Sequence, residues 1–553
     1  GVNNTLIGGL AGDALTDADF NVALGKSSLS SDTLGSRSTA VGTNALFSQN
    51  FTTATDSNNT AVGFEAGANV TTGVFNTLMG GLAGDALTDA DYNIAIGGNV
   101  LGTDTLGSRS TAIGHGALFA QNFTTATDTY NTAVGYNAGS AVTTGQFNTL
   151  IGGLSGDALT TGAQNVAIGY AALTSDDLGS HSVAVGPSAL FSQNFATATN
   201  SYNTAVGSAA GGAVTTGTLN TLVGGLAGDA LTVGGSNVSL GYFSLTADTN
   251  GSKSVAVGTA ALGDQNFTTA TNAYNVAVGQ EAGRSVTTGV QNVLIGALAG
   301  DALTDSDENV AVGYGALSTD TLGQYSVAIG RSALTAQNFT TATSTGNTAV
   351  GYLAGGEITT GIANTLIGSA AGDALTDADR NVAIGKIALG ADTLGSRSVA
   401  VGYHALESQN FTTATDSYNT AVGYVAGNAV TTGTINTLIG GQAGDNLTIG
   451  SRNVAVGVSA LHNDLAGSKN VAVGTRALTS QSFTTATDSY NVAVGEDAGL
   501  EVTTGVQNTL IGGLSGDSLT VGNKNISIGY RTLSADTKGN KNVAVGNFAL
   551  STQ

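Results

Sequence analysis

The sequence predicts an all-β fold, a parallel β-solenoid of the β-roll kind with about 31 short coils, on three observations. The first is a long period: the stretch at residues 3–21, "NNTLIGGLAGDALTDADFN", returns at 75–93 almost unchanged. Related wording follows, so that Asn4, Asn76, Asn148, Asn220, Asn292, Asn364, Asn436 and Asn508 stand 72 residues apart with no insertion or deletion. The second is a short word that recurs four times in each unit, as NTLIG at Asn4, NVALG at Asn21, STAVG at Ser38 and NTAVG at Asn59, in steps of 17, 17, 21 and 17 residues. The third is composition: 82 Gly, one Pro (Pro187), one Met (Met79), no Cys, no Trp and 10% charged residues.

Such a period, held throughout, overrides the several globular domains that 553 residues would otherwise suggest. One continuous solenoid is expected over residues 1–553, with seven complete repeats at 4–507 and a partial one at 508–553. At about 4.8 Å per coil, 31 coils would reach about 150 Å.

Each word is short, β-branched and closed by Gly, which predicts a strand bounded by a turn. Alternation sends the second and fourth positions (Val22 and Leu24, Val166 and Ile168) to one face and the third (Ala23, Ala167) to the other. Both faces are apolar, although a lone solenoid needs only its inner face so. The small column at position three is expected to be the outward one, with a second chain as its cover.

The opening residue of the word, at Asn4, Asn21, Ser38 and Asn59, is assigned a structural role. Side-chain amides stacked in register can bond above and below in a ladder, and Asn also tolerates the left-handed backbone of a tight corner. Gly8, Gly25, Gly42 and Gly63 close the word where positive φ or close backbone approach is needed.

The 21-residue step carries four extra residues, in "SQNFTTATDS" at 48–57, and the insertion recurs in every complete repeat. An insertion in a solenoid bulges at one edge, so Gln49, Asn50 and Phe51, with Phe123, Phe195, Phe267, Phe339, Phe411 and Phe483, form the candidate contact row. Two roles are open to these rings: to fold back over the coil edge, or to meet sugars or an adjacent subunit. "NFT" is also an Asn-glycosylation sequon.

Other candidates have plain structural readings. "GGLAGDALT" at 8–16 approaches a calcium-binding nonapeptide, but Asp13, Asp85, Asp157, Asp229, Asp301, Asp373, Asp445 and Asp517 lie four coils apart, whereas calcium rolls repeat the motif in adjacent coils. Turn capping is the expected role. The carboxylates of "TDAD" (Asp17 and Asp19, Asp89 and Asp91, Asp377 and Asp379) are missing from other repeats and read as solvated turns. His115, His181, His404 and His462 fall at scattered places in the unit, without a repeating carboxylate or Ser partner. No cofactor is expected. "TTAT" comes once in four coils, too sparse for the flat Thr array of an ice-binding surface.

The words "NTAVGYNAG" (131–139), "NVAIGYAAL" (165–173) and "SVAVGPSAL" (182–190) resemble the head repeats of trimeric autotransporter adhesins, and are similar to repeats of phage tail fibres. The resemblance implies a left-handed β-roll wound as a trimer, with a surface-attachment function. Together with the apolar outer column it gives a homotrimer, in which a charge at Ala167 or Ala184 would split the assembly. The chain departs from the adhesin pattern in its coils of 17 or 21 residues, and shows no membrane anchor or coiled-coil stalk.

Net charge of −22 without Lys/Arg clusters argues against nucleic acid and anionic membrane as partners, and no run of 18 apolar residues predicts a membrane span. The absence of Cys removes disulfides and thiolate metal sites. A depolymerase needs paired acid and base groups at one unique place, and near-identical repeats argue against one, so the chain is expected not to be an enzyme. The first word starts at Asn4 without a cap and the chain stops partway through a coil, which predicts a segment of a longer fibre with tip and anchor elsewhere.

The functional expectation is therefore a structural shaft of an extracellular attachment fibre, on a cell surface or a virion, with weak multivalent contacts to a host glycan or to neighbouring fibres. The alternatives are a calcium- or glycan-binding β-roll, or the non-catalytic part of a fibre with an enzymatic tip.

Overall fold

A computed structural model describes residues 1–552, all of them strand, turn or irregular chain with no helix among the described residues. Each of the 31 words forms a three-residue strand, and the strands are parallel. The chain divides into two compact units, residues 1–275 and 276–553. In the first, strands run from Thr5–Ile7 to Val255–Val257, and each pairs with the next word in one-to-one register, as in Thr5↔Val22 and Val166↔Val183. In the second they run from Val276–Val278 to Val543–Val545 with the same register, as in Val310↔Val327. The β-solenoid is thus the observed architecture of each unit.

The two faces of the word are the reverse of the sequence expectation. The third-position residues Ala23, Ala167 and Ala184 are fully buried inside the coil, while positions two and four, such as Val166 and Ile168, point outward and are half-buried. Side-chain volume is the reason. The coil is narrow, so its interior takes Ala together with Leu29, Leu46 and Val70, and the bulkier β-branched residues pack on the pleated outer surface. A charge at Ala167 or Ala184 would therefore sit inside one coil rather than between chains.

Inside the stack, one large third-position residue is followed by three small ones, as in Leu78, Ala95, Ala112 and Ala133. The first word of each repeat has Leu at position three, and Leu78 fills space that a Cβ at Gly67 or Gly84 would enter at 2.6 or 2.9 Å. That complementarity recurs once in every four coils, with the period of the inserted loop.

Gly at the fifth position meets both demands read from the sequence. Gly63 has φ +147, and a Cβ there would stand 2.3 Å from the carbonyl oxygen of Gly80 one coil on. Gly8, Gly25 and Gly42 repeat the geometry. The left-handed corner, by contrast, falls on the residue before the word's opening Asn or Ser: Phe20, Phe75, Tyr92 and Arg109 have φ between 58° and 64°. Their strain is offset by inter-coil bonds, such as Tyr92 N–H to the Val74 carbonyl at 3.0 Å, and by stacking outside the coil. Phe75 and Tyr92 lie parallel with centroids 5.1 Å apart, and the Arg109 guanidinium sits 5.0 Å above the Tyr92 ring.

Candidate functional site

The word-opening Asn forms a ladder, in which the amide mostly bonds backbone. The Asn93 N–H donates to Asn76 Oδ1 at 2.9 Å, and Asn76 Nδ2 donates to the Ala90 carbonyl at 2.7 Å. Direct amide-to-amide bonds are longer, as from Asn76 Nδ2 to Asn59 Oδ1 at 3.3 Å. The ladder also includes Asn4, whose Nδ2 donates to the Ala18 carbonyl at 2.7 Å, and Asn21, whose Nδ2 donates to the Gly35 carbonyl at 2.9 Å.

The inserted loop packs beside the third word of each repeat, which opens with Ser at Ser38 and with Asn at Asn470. Gln49, one of the candidate contact residues, is fully buried at this point. Its Nε2 donates to Asp32 Oδ2 at 2.6 Å and to Ser38 Oγ at 2.9 Å, while its Oε1 accepts from Asn59 Nδ2 at 2.9 Å. Asp32 Oδ1 accepts the N–H of Gly35 at 3.0 Å and of Phe51 at 3.2 Å. One buried carboxylate therefore caps its own turn and clamps the loop that follows a coil later. The loop gains a further ladder, Thr55–Asp56 pairing parallel with Gly35–Ser36.

This box recurs around Asp104 and Gln121, Asp176 and Gln193, Asp248 and Gln265, Asp320 and Gln337, Asp392 and Gln409, and Asp464 and Gln481. Burial pushes the carboxyls of Asp104, Asp176, Asp248, Asp392 and Asp464 above the ordinary 3.8, while the Gln amide and the backbone N–H groups pull the other way. The Asp row was not singled out in the sequence. Its signal was an Asp-x-x-Gly at fixed 72-residue spacing, 17 residues before each Gln.

The seven loop Phe residues are folded inward. Phe51 is 5% exposed, and Phe123, Phe195, Phe267, Phe339, Phe411 and Phe483 are likewise buried. Of the candidate contact residues only Asn50 reaches solvent, beside Thr52, Thr53 and Ala54 at the loop tip. Here the rings cover the coil edge, the first of the two roles open to them.

The acidic turns tie coils together. Asp91 Oδ1 accepts the Val74 N–H at 2.7 Å, Asp89 accepts from Thr72 Oγ1 at 2.6 Å, and Asp229 accepts from Thr246 Oγ1 at 2.5 Å. His462 meets Asp445, and His404 Nδ1 meets Glu407 at 2.5 Å. Among the described residues no group of three or more His, Cys, Asp or Glu is placed to hold a metal ion, and no helix is long and apolar enough to cross a membrane.

No protein-family model matches the chain, and no curated protein matches it.

Proposed function

We propose that the chain is the structural shaft of an extracellular attachment fibre, either a cell-surface adhesin filament or a phage tail fibre, in which three copies wind as a left-handed trimer. The copies cover one another's outward strand columns. The observation that carries the reading is the chemistry of those columns. In all 31 words the second position is Thr, Val or Ile and the fourth is Val, Ile, Leu or Met, with no charged residue in a chain of net charge −22. These side chains stand half-buried to exposed on the outer face, and an uncharged strip of aliphatic and threonine side chains of this extent suits an association surface. Cover by copies of the same chain suits a pattern with one fixed repeat, since each word then meets equivalent words.

In this reading the buried boxes and inter-coil ties make the shaft stiff, and its exposed Thr-rich loop tips offer only weak contacts that gain strength by repetition. The test is to place Lys at position two of three successive words, with Val166→Lys, Val183→Lys and Thr204→Lys together. The expected result is an assembly that falls to the 54.1 kDa chain mass with its strand content retained. An assembly mass that does not change with the three lysines would sink the reading.

A further inference from the structure

In the second repeat the coil edge opens into a cleft of about 350 Å³ that the word pattern does not require. Phe119 borders it, 43% exposed although its neighbour Leu118 is fully buried. The ring rests against the backbone of Gly102, where an added Cβ would lie 3.0 Å from it. Around the ring stand the polar side chains of Asn99, His115, Asn137 and Ser140. The amides of Asn99 and Asn137 have no hydrogen-bond partner among the described residues. Gly116 leaves room for the Asn137 amide, because a Cβ there would fall 2.4 Å from Asn137 Oδ1.

The equivalent place in the first repeat shows what is special here. Asn44 stands where the second repeat has Gly116, and Glu65 where it has Asn137. Asn44 Nδ2 donates to Glu65 Oε1 at 3.3 Å, so these polar groups satisfy each other. Glu65 and Asp85 also make that cleft acidic, whereas no carboxylate, lysine or arginine lines the cleft at Phe119.

We propose that the cleft at Phe119 is a binding site for one uncharged pyranose ring of a glycan. A pyranose offers a face of C–H groups to an aromatic ring and hydroxyls at its rim, and each free amide offers both donors and an acceptor to those hydroxyls. The volume lies within the range of small-ligand clefts, and an aromatic wall with a few convergent polar groups is their usual lining. With no lysine or arginine in the lining, an acidic sugar's carboxylate would find no permanent cation there, which favours neutral sugars. The site lies within one chain and does not depend on the shaft reading. A single chain would hold it equally.

Saturation-transfer NMR on the full chain tests it, with methyl α-glucopyranoside, methyl β-galactopyranoside and N-acetylglucosamine as separate millimolar probes. Transfer to the ring C–H protons of at least one probe is expected. It should fall about tenfold in Phe119→Ala, the loss expected for one aromatic contact. It should fall as far in the double variant Gly116→Asn with Asn137→Glu, which rebuilds an arrangement the first repeat already folds. Phe47→Ala, at the acidic cleft, should leave it unchanged. No transfer to any of the three probes would overturn the proposal, as would transfer that survives either Phe119→Ala or the double variant, or that Phe47→Ala abolishes as well.

Discussion

Gln49 Nε2 donates to Asp32 Oδ2 at 2.6 Å across 17 residues of chain, and this contact joins the inserted loop to the coil before it. The same bond, repeated through the chain, turns what looks like a surface bulge into a buried polar clamp.

Removing the clamp at one place should open one loop. In Gln121→Ala the buried Asp104 Oδ2 loses its donor and the buried Asn131 Nδ2 keeps only the Gly145 carbonyl, at a cost of about 1–3 kcal/mol. Hydrogen exchange should rise over residues 120–131 and leave the strands two coils away protected, because a solenoid coil contacts mainly its neighbours. Uniform loss of protection along the chain would contradict this.

Acid should strengthen the fold before it weakens it. The carboxyls of Asp104, Asp176, Asp248, Asp392 and Asp464, and those of Asp85, Asp301, Asp373, Asp445 and Asp517, are raised above 3.8, chiefly by burial. The folded chain holds these protons more tightly than the unfolded one, so their contribution is fully present below the ordinary 3.8 and is lost as pH rises through the raised folded values. Exposed pairs such as Arg109 with Asp128 oppose the trend only weakly. The denaturant midpoint is expected to be higher near the acidic end of that window than at neutral pH. A midpoint that falls steadily on acidification from neutrality would contradict it.

Two adjacent glycines should behave as opposites. Gly80 has φ +133 and a Cβ there would lie 2.2 Å from the Gly97 carbonyl oxygen, whereas a Cβ at Gly81 would meet nothing within 4 Å. Gly80→Ala should destabilise by about 3 kcal/mol or more, and Gly81→Ala by no more than about 0.5 kcal/mol. Thermal unfolding of the two variants decides, and equal effects would refute the stacking geometry.

The loop rings should matter to stability rather than to contact. Phe123→Ala removes a ring that is 5% exposed and should cost about 3–5 kcal/mol, read as local protease sensitivity at residues 121–128. A variant as resistant as the parent would show that the ring covers nothing.

Much of this was legible in the sequence, and the exceptions have a physical cause. The period of the words gives strands, parallel register and coil number, because alternation and Gly placement are local properties. Which face is inside could not be read from alternation, since Ala167 on one side and Val166 and Ile168 on the other are all apolar; the width of the coil decides, and that is a property of the closed turn. Asn4 and Asn21 were legible as ladder residues from their spacing, but the left-handed corner fell on their neighbours Asn3 and Phe20, because the Asn side chain is committed to the ladder. Gln49 and Phe51 looked exposed because insertions usually are. Their burial depends on Asp32, whose role as a clamp appears only when coils are stacked.

The most direct test of the central claim, that outward strand columns are covered by copies of the same chain, is sedimentation equilibrium of the purified chain at neutral pH. The expected mass is three times 54.1 kDa, unchanged on dilution. A stable, soluble species at 54.1 kDa would contradict it, because the uncharged columns would then stand open to water along every coil.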